Sequence, residues 1–350
     1  MTAAQSAGGT HRAETAVTEC RAGAAEPLLS VRDLRVTFQR KGEPETVAVD
    51  GVSFDVAAGQ IVGLVGESGC GKSVTSMAIM RLLPDRGVRV RGSILMDGTD
   101  LLTLSEPQMR ERRGRDLSMV FQDPLSSLNP VIPVGLQITE VLRRHRGMGK
   151  ETARKAAVEL LDRVGIPDPR RRLDAYPHQM SGGMRQRALI AIALACSPRL
   201  LIADEPTTAL DVTIQAQILE LLRELVRETG AALVLITHDL GVVAGLCETV
   251  NVLYAGRIVE RAQRHRLFGT PRHPYTHGLL GSIPRLDAPQ GEELAAIPGS
   301  VVDNVPWEHA CAFAPRCPRS LERCMEVTPL GETAGGRLLR CHNPVPADAE

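Results

Sequence analysis

Three glycines and one lysine fall within eight residues, Gly66, Glu67, Ser68, Gly69, Cys70, Gly71, Lys72 and Ser73, directly after the apolar run Ile61 to Val65. A loop so poor in side chains can turn several backbone N–H groups toward one point, and glycine permits both the φ angles and the close approach this requires. A helix beginning at Lys72 would add unpaired donors and roughly half a positive charge at its N-terminus. The chemistry is that of a polyphosphate cradle, in which Lys72 bridges the terminal phosphates and the Ser73 hydroxyl ligates magnesium. Cys70, inside this loop, reads as a small neutral filler whose alkylation should block the cradle. A magnesium site also needs a carboxylate, and LLIADEP at 200–206 supplies Asp204 at the end of an apolar run, with Glu205 next to it. Asp204 suits the magnesium contact, whereas Glu205 suits polarising a water for attack on the terminal phosphate, an effect worth about 10²–10⁴ in rate. Two further polar residues end apolar runs: His238 after AALVLIT, where it could reach that phosphate, and Gln122 in DLSMVFQ, where it could meet magnesium and the water.

These residues act together only if strand ends meet, and the hydrophobic pattern supplies the strands. Ile61 to Val65, LLIAD at 200–204 and AALVLIT at 231–237 are short, apolar and branched, as buried strands are, and helical patterns at 72–83 and 213–228 alternate with them. That alternation predicts a parallel sheet with crossover helices. Before it, LRVTF at 34–38 and VSFDV at 52–56 alternate in the manner of an antiparallel β layer. Residues 139–166 and 183–196 read as helices, the first strongly basic. No internal repeat is present, which implies one nucleotide-type domain.

Bulk properties narrow the class. Lysine plus arginine and aspartate plus glutamate number 41 each, so no global field draws the chain to nucleic acid or membrane. The basic stretch Arg143 to Arg172 carries ten lysines or arginines against four acids; it reads equally as a solvated helix face or a surface facing membrane subunits. With nine aromatic residues in all, it gives no support to nucleic-acid binding. No run approaches the roughly 20 apolar residues of a membrane span. Residues 1–27 read as a flexible tail rather than an export signal, implying a cytosolic protein. Four of the eight cysteines, Cys311, Cys317, Cys324 and Cys341, fall close together in a proline-rich segment.

The segment MSGGMRQR at 180–187, lying before LLIADEPTTALD and LITHDL, resembles the signature motif of ATP-binding-cassette (ABC) ATPases, and the order of parts is that family's. The resemblance covers residues 28 to about 265 and implies an α/β P-loop NTPase cassette: a parallel sheet core, an antiparallel β layer and a helical subdomain at about 125–198. It assigns ATP and Mg2+ to the site, with Gly66 to Ser73 as Walker A, Gln122 as the Q-loop, Asp204 and Glu205 as Walker B, Ala209 to Asp211 as the D-loop and His238 as the switch histidine. Phe38 matches the aromatic that stacks on adenine. Ser181, Gly182 and Gly183 open a second donor-rich helix, and in the family this signature caps the nucleotide held by another subunit, which implies a dimer of cassettes. Met184 stands where many family members carry glutamine.

HPYTHGLLGSIP at 273–284, IPGSV at 297–301 and CAFAPRCPRSLERC at 311–324 resemble the C-terminal extension of ATPases that power oligopeptide and dipeptide importers. An extension over 266–350 is therefore expected. The gaps of five, six and sixteen residues between its cysteines lack the knuckles usual for structural zinc. The resemblance favours a 4Fe-4S cluster at Cys311, Cys317, Cys324 and Cys341, with zinc, or four unliganded thiols, as alternatives. It also implies partners: a second ABC ATPase subunit, related or identical, two transmembrane permease subunits and, through them, an extracytoplasmic substrate-binding protein. No nucleic acid is among them, and the location implied is the cytoplasmic face of the cell membrane. An exporter or a soluble ABC ATPase fits the ATP motifs equally but leaves the cysteine tail without a role, and nickel or sugars remain alternative cargoes.

Overall fold

The computed structural model describes residues 26–39, 42, 44–208, 210–283, 297–301, 310–326, 328–333 and 336–346. The first 25 residues, and with them Cys20 and nearly all of the expected N-terminal tail, lie outside the described residues. Strands β1 (Leu29–Phe38), β2 (Thr46–Val56), β4 (Val88–Met96) and β5 (Thr99–Asp100) form an antiparallel sheet in the order β2-β1-β4-β5. The alternating apolar residues of β1 and β2, among them Leu34, Val36, Val52 and Phe54, point to one buried face.

The remaining strands form one mixed sheet: β3 (Ile61–Val65), β6 (Leu117–Val120), β7 (Leu200–Asp204), β8 (Ala232–Thr237), β9 (Thr249–Tyr254), β10 (Arg257–Gln263), β11 (Gly331–Thr333) and β12 (Arg337–Leu339), in the order β11-β12-β10-β9-β3-β8-β7-β6. β3, β7 and β8 are buried at every position, which is why their sequences are continuous apolar runs rather than alternating ones. β9, β3, β8, β7 and β6 run parallel, with Val65 level with Thr237 and Val252, Asp204 with Ile236, and Val120 with Ala203. Because the strands end almost level, the loops that follow β3, β8, β7 and β6 emerge side by side. Crevices at the carboxyl ends of parallel strands are where α/β folds bind ligands.

The helix after β3 spans Lys72–Ile79 and stops short of the expected residue 83. Arg81 turns to φ 50, and Leu82 N donates back to Met77 O at 2.8 Å, closing the last turn. The basic stretch at 139–166 is two helices, Val134–Arg146 and Lys150–Arg163, separated where Gly147 adopts φ 63. They lie with Gly182–Leu194 between β6 and β7 in the chain, and Val212–Thr229 connects β7 to β8. The two sheets are joined at Asp50 of β2, whose carboxylate pairs with Arg35 at 2.6 Å and with Arg257 of β10 at 2.6 Å. The hairpin β11–β12 adds to the main sheet through β12, which pairs with β10 at Glu260 and Leu339.

Candidate nucleotide site

The loop after β3 turns through Gly66 (φ 151), Gly69 (φ 81) and Gly71 (φ 100), all in the region that disfavours a side chain. Space forbids one as well. A Cβ on Gly66 would lie 2.3 Å from the Leu253 carbonyl oxygen of β9, and one on Gly71 would lie 2.5 Å from the Ala48 carbonyl oxygen of β2. Lys72 is buried, and its Nζ donates to the carbonyl oxygens of Gly66 at 2.7 Å and Glu67 at 2.9 Å, so the ammonium sits within the ring of the loop. Cys70 is fully buried, its Sγ 3.8 Å from Lys72 Nζ, and burial raises the thiol pKa while Lys72 opposes that shift. A buried thiol held in its neutral form reacts poorly with alkylating agents, so the expected block by alkylation does not fit the closed loop.

Ser73, at the start of the helix, donates through Oγ to Asp204 Oδ1 at 3.1 Å. Burial is the main cause that raises the Asp204 carboxyl above its usual range, the Ser73 hydrogen bond opposes it, and the charge on Glu205 adds to it. A divalent cation beside Ser73 and Asp204 would reverse that shift, and a hydroxyl with a carboxylate is oxygen chemistry suited to Mg2+. The residues present therefore fit magnesium.

Glu205 follows β7 with φ 46, a conformation rare for a residue with a side chain, and its N–H donates to Ile236 O at 2.8 Å. Three neighbours converge on its carboxylate. Gln122 Nε2 and Thr208 Oγ1 each donate to Oε2 at 2.9 Å, and His238 Nδ1 lies 3.2 Å from Oε1. Gln122, Glu205 and His238 are thus brought together from the ends of β6, β7 and β8. Thr208 is the residue that sequence reasoning missed; a threonine in PTT carries no distinguishing signal until the turn after Glu205 folds its hydroxyl back.

Other expected site residues lie apart. Phe38 ends β1 and lines a surface hollow with Thr46, Pro84 and Val88. Ser181 caps the helix Gly182–Leu194, accepting from Met184 N at 3.3 Å, and Ser181 and Gly182 are exposed. Asp211 caps Val212–Thr229 through a bond from Ile214 N at 2.9 Å, while Ala209 lies outside the described residues. Among the described residues no hydrogen bond joins Ser181, Gly182 or Gly183 to residues 66–73.

Cys311 N donates to Cys324 O at 2.8 Å, and Cys311, Cys317 and Cys341 all have raised thiol pKa values, caused first by burial and further by neighbouring cysteines, with Cys341 pushed up to about 11. The four thiols are therefore neighbours. Yet among the described residues no group of three or more His, Cys, Asp or Glu side chains is arranged to hold a metal ion. The expected 4Fe-4S cluster at Cys311, Cys317, Cys324 and Cys341, and the zinc alternative, gain no support from this geometry. Cys311 and Cys317 pack against the apolar core, and neutral thiols behave there as small hydrophobes.

Residues 49–208 match the ABC transporter family, and residues 259–324 match the oligopeptide/dipeptide transporter C-terminal region. The oligopeptide transport ATP-binding protein OppD of Escherichia coli (strain K12) is 48% identical over 332 residues, 95% of this chain and 98% of that protein. The chain belongs to the ABC transporter family. The dipeptide transport ATP-binding protein DppD of Bacillus subtilis (strain 168) is 54% identical over 309 residues, 88% of this chain and 91% of that protein. Among solved structures, the dimeric post-hydrolysis state of the ATP-binding cassette MJ0796 bound to ADP and Pi aligns with TM-score 0.61 and 29% identity, covering 67% of this chain and 98% of that one. The cassette fold is thus α/β of the P-loop type, and the protein is an ATPase. Among the described residues no helix is long and apolar enough to cross a membrane.

Proposed function

We propose that this cassette is the ATP-hydrolysing subunit that drives import of oligopeptides or dipeptides through a membrane-embedded pair of permease subunits. The observation that supports this cargo is the match at 259–324, joined to half-identical relatives named for oligopeptide and dipeptide transport. The cassette extends over 28–265, with its helical subdomain at about 125–198, and the importer-type extension over 266–350. The loop Gly66 to Ser73 binds the phosphates of ATP through its backbone, and Lys72 exchanges its carbonyl partners for the terminal phosphates. Ser73 and Asp204, assisted by Gln122, hold Mg2+, which when bound neutralises phosphate charge. Glu205 accepts the proton of the attacking water, and its contacts with Gln122, Thr208 and His238 fix the carboxylate and the direction from which water approaches. His238, half-exposed beside Glu205, is placed to contact the terminal phosphate.

Phe38 stacks on adenine, and Asp211 lies at the facing surface of the two cassettes. Ser181, Gly182 and Gly183, the first two exposed and all three unbonded to the chain's own phosphate loop, cap ATP held by a second ABC ATPase subunit. Closure of that pair transmits force to the permease at the cytoplasmic face of the membrane, where an extracytoplasmic binding protein delivers the peptide. The test is ATP-dependent uptake of labelled peptides by vesicles carrying the complete assembly. Uptake that requires the peptide-binding subunit and ceases with Lys72→Ala supports the reading; an assembly that moves nickel or sugars and no peptide refutes the cargo.

A further inference from the structure

The phosphate loop is held from outside its own motif. Glu67, the second residue of the loop, is bound through both its backbone and its side chain by residues of the C-terminal region. Its N–H donates to the Tyr275 hydroxyl at 2.9 Å, and its carboxylate receives two parallel bonds from Arg316, Nη1 to Oε2 at 2.7 Å and Nη2 to Oε1 at 2.9 Å. Tyr275 is fully buried, and the Arg316 side chain is 2% exposed. Two-pronged arginine–carboxylate pairs fix geometry as well as charge.

Both partners are anchored before they reach the loop. Tyr275 lies in the first turn of the helix Pro274–Gly281, where His273 Nδ1 accepts its N–H at 3.0 Å, and its ring packs on Tyr254 and Phe313 at centroid distances of 4.7 and 5.4 Å. Arg316 also donates to the carbonyl oxygens of Pro298 at 2.7 Å and Gly299 at 3.1 Å, and its guanidinium lies 5.7 Å from the centre of the Tyr254 ring. The tail thus carries a preset hydroxyl and a preset cation to one loop residue. That residue needs a cation: a carboxylate in a loop that receives a triphosphate repels it, and pairing removes most of the repulsion.

We infer that Tyr275 and Arg316 are positioning residues of the nucleotide site, through which the C-terminal region sets the turn and the charge of the phosphate loop at Glu67 and thereby the affinity for ATP. This inference rests on residues 66–73 being the ATP cradle. It gives the tail a part in the ATPase cycle that the cassette motifs do not contain.

The test measures Kd for a fluorescent ATP analogue with Mg2+, using the full chain as wild type, Arg316→Gln, Glu67→Gln/Arg316→Gln and Tyr275→Phe, with melting temperatures beside it. Arg316→Gln leaves Glu67 an unpaired anion and raises Kd about tenfold, with a larger loss at low ionic strength where repulsion is unscreened. The double variant removes that anion and recovers most of the loss. A double variant as weak as the single one shows that Arg316 merely anchors the tail, and overturns its positioning role. Tyr275→Phe keeps the ring packing and raises Kd about three- to tenfold by stranding the Glu67 N–H; wild-type affinity there overturns the role of the hydroxyl. Should Arg316→Gln fail to fold, Tyr275→Phe decides whether the tail sets the loop. Lys72→Ala separates the two readings: wild-type affinity in that variant removes the ATP cradle itself, whereas loss there with no change in the tail variants removes only the inference.

Discussion

Glu205→Gln isolates the proton-accepting step from the fold. The glutamine has nearly the volume of glutamate, and its carbonyl oxygen can take the place of Oε2, which accepts from Gln122 Nε2 and Thr208 Oγ1, both at 2.9 Å. Its amide then faces His238 Nδ1, which lies 3.2 Å from the other oxygen in the wild type. All three contacts have a counterpart in the variant, so the melting temperature should stay within about 1 °C of wild type, less than the roughly 1–2 °C by which a 1 kcal/mol loss shifts a chain of this size. What disappears is the base. General-base catalysis contributes about 10²–10⁴ in rate, or about 3–5 kcal/mol of barrier, so phosphate release at saturating ATP should fall by at least about a hundredfold. Affinity for ATP should persist, because the residues proposed to bind phosphate and Mg2+ are untouched, and paired cassettes should accumulate with trapped nucleotide. The assay is phosphate release by the full chain at concentrations that support pairing, with size-exclusion chromatography in the presence of ATP. Release within about threefold of wild type would show that Glu205 does not accept the proton and that its three-sided contact network has another purpose.

Lys72→Ala should weaken ATP binding about ten- to hundredfold, as loss of charged hydrogen bonds does; calorimetric titration showing unchanged affinity contradicts the cradle. Gly66→Ala forces a Cβ to within 2.3 Å of the Leu253 carbonyl oxygen and should destabilise the protein by about 1–3 kcal/mol with loss of nucleotide binding, and a variant that melts and binds normally would mean the loop can relax freely. His273 is buried, and desolvation pulls its imidazole down to about 3 from the 6.5 of an exposed histidine. The unfolded chain then binds the extra proton, so stability from this group is complete above pH 6.5 and declines as pH falls toward 3, by about 2 kcal/mol at pH 5. Melting curves at pH 7.5 and 5 should show a larger loss for wild type than for His273→Asn, which retains a capping oxygen; equal losses refute the assignment.

Much of the ATP-binding half was legible in the chain because its signals are local. The apolar runs of β3, β7 and β8 and the glycines between strand and helix depend on neighbours in sequence, and they appear where the pattern placed them. Helix ends were less legible, since the stop at Ile79 and the break at Gly147 follow from turns that helical periodicity does not record. The hairpin β11–β12 escaped because its strands have three residues each and join the main sheet only by pairing far along the chain, as Leu339 does with Glu260, whereas β9 and β10, with six and seven residues, are long enough to read and were passed over.

The sequence alone determined which groups could do chemistry: a side-chain-poor loop, two adjacent acids, and a histidine and a glutamine at the ends of apolar runs, all fixed by residue type and spacing. Only the tertiary structure decided which of them meet. Level ends of neighbouring parallel strands bring Gln122, Glu205 and His238 together, and the same folding leaves Ser181 and Gly182 exposed and, with Gly183, unbonded to the loop. It also placed Tyr275 and Arg316, 208 and 249 residues from Glu67, against the phosphate loop. Contacts over such distances depend on how sheets and tail pack, and no local pattern of residues carries that information.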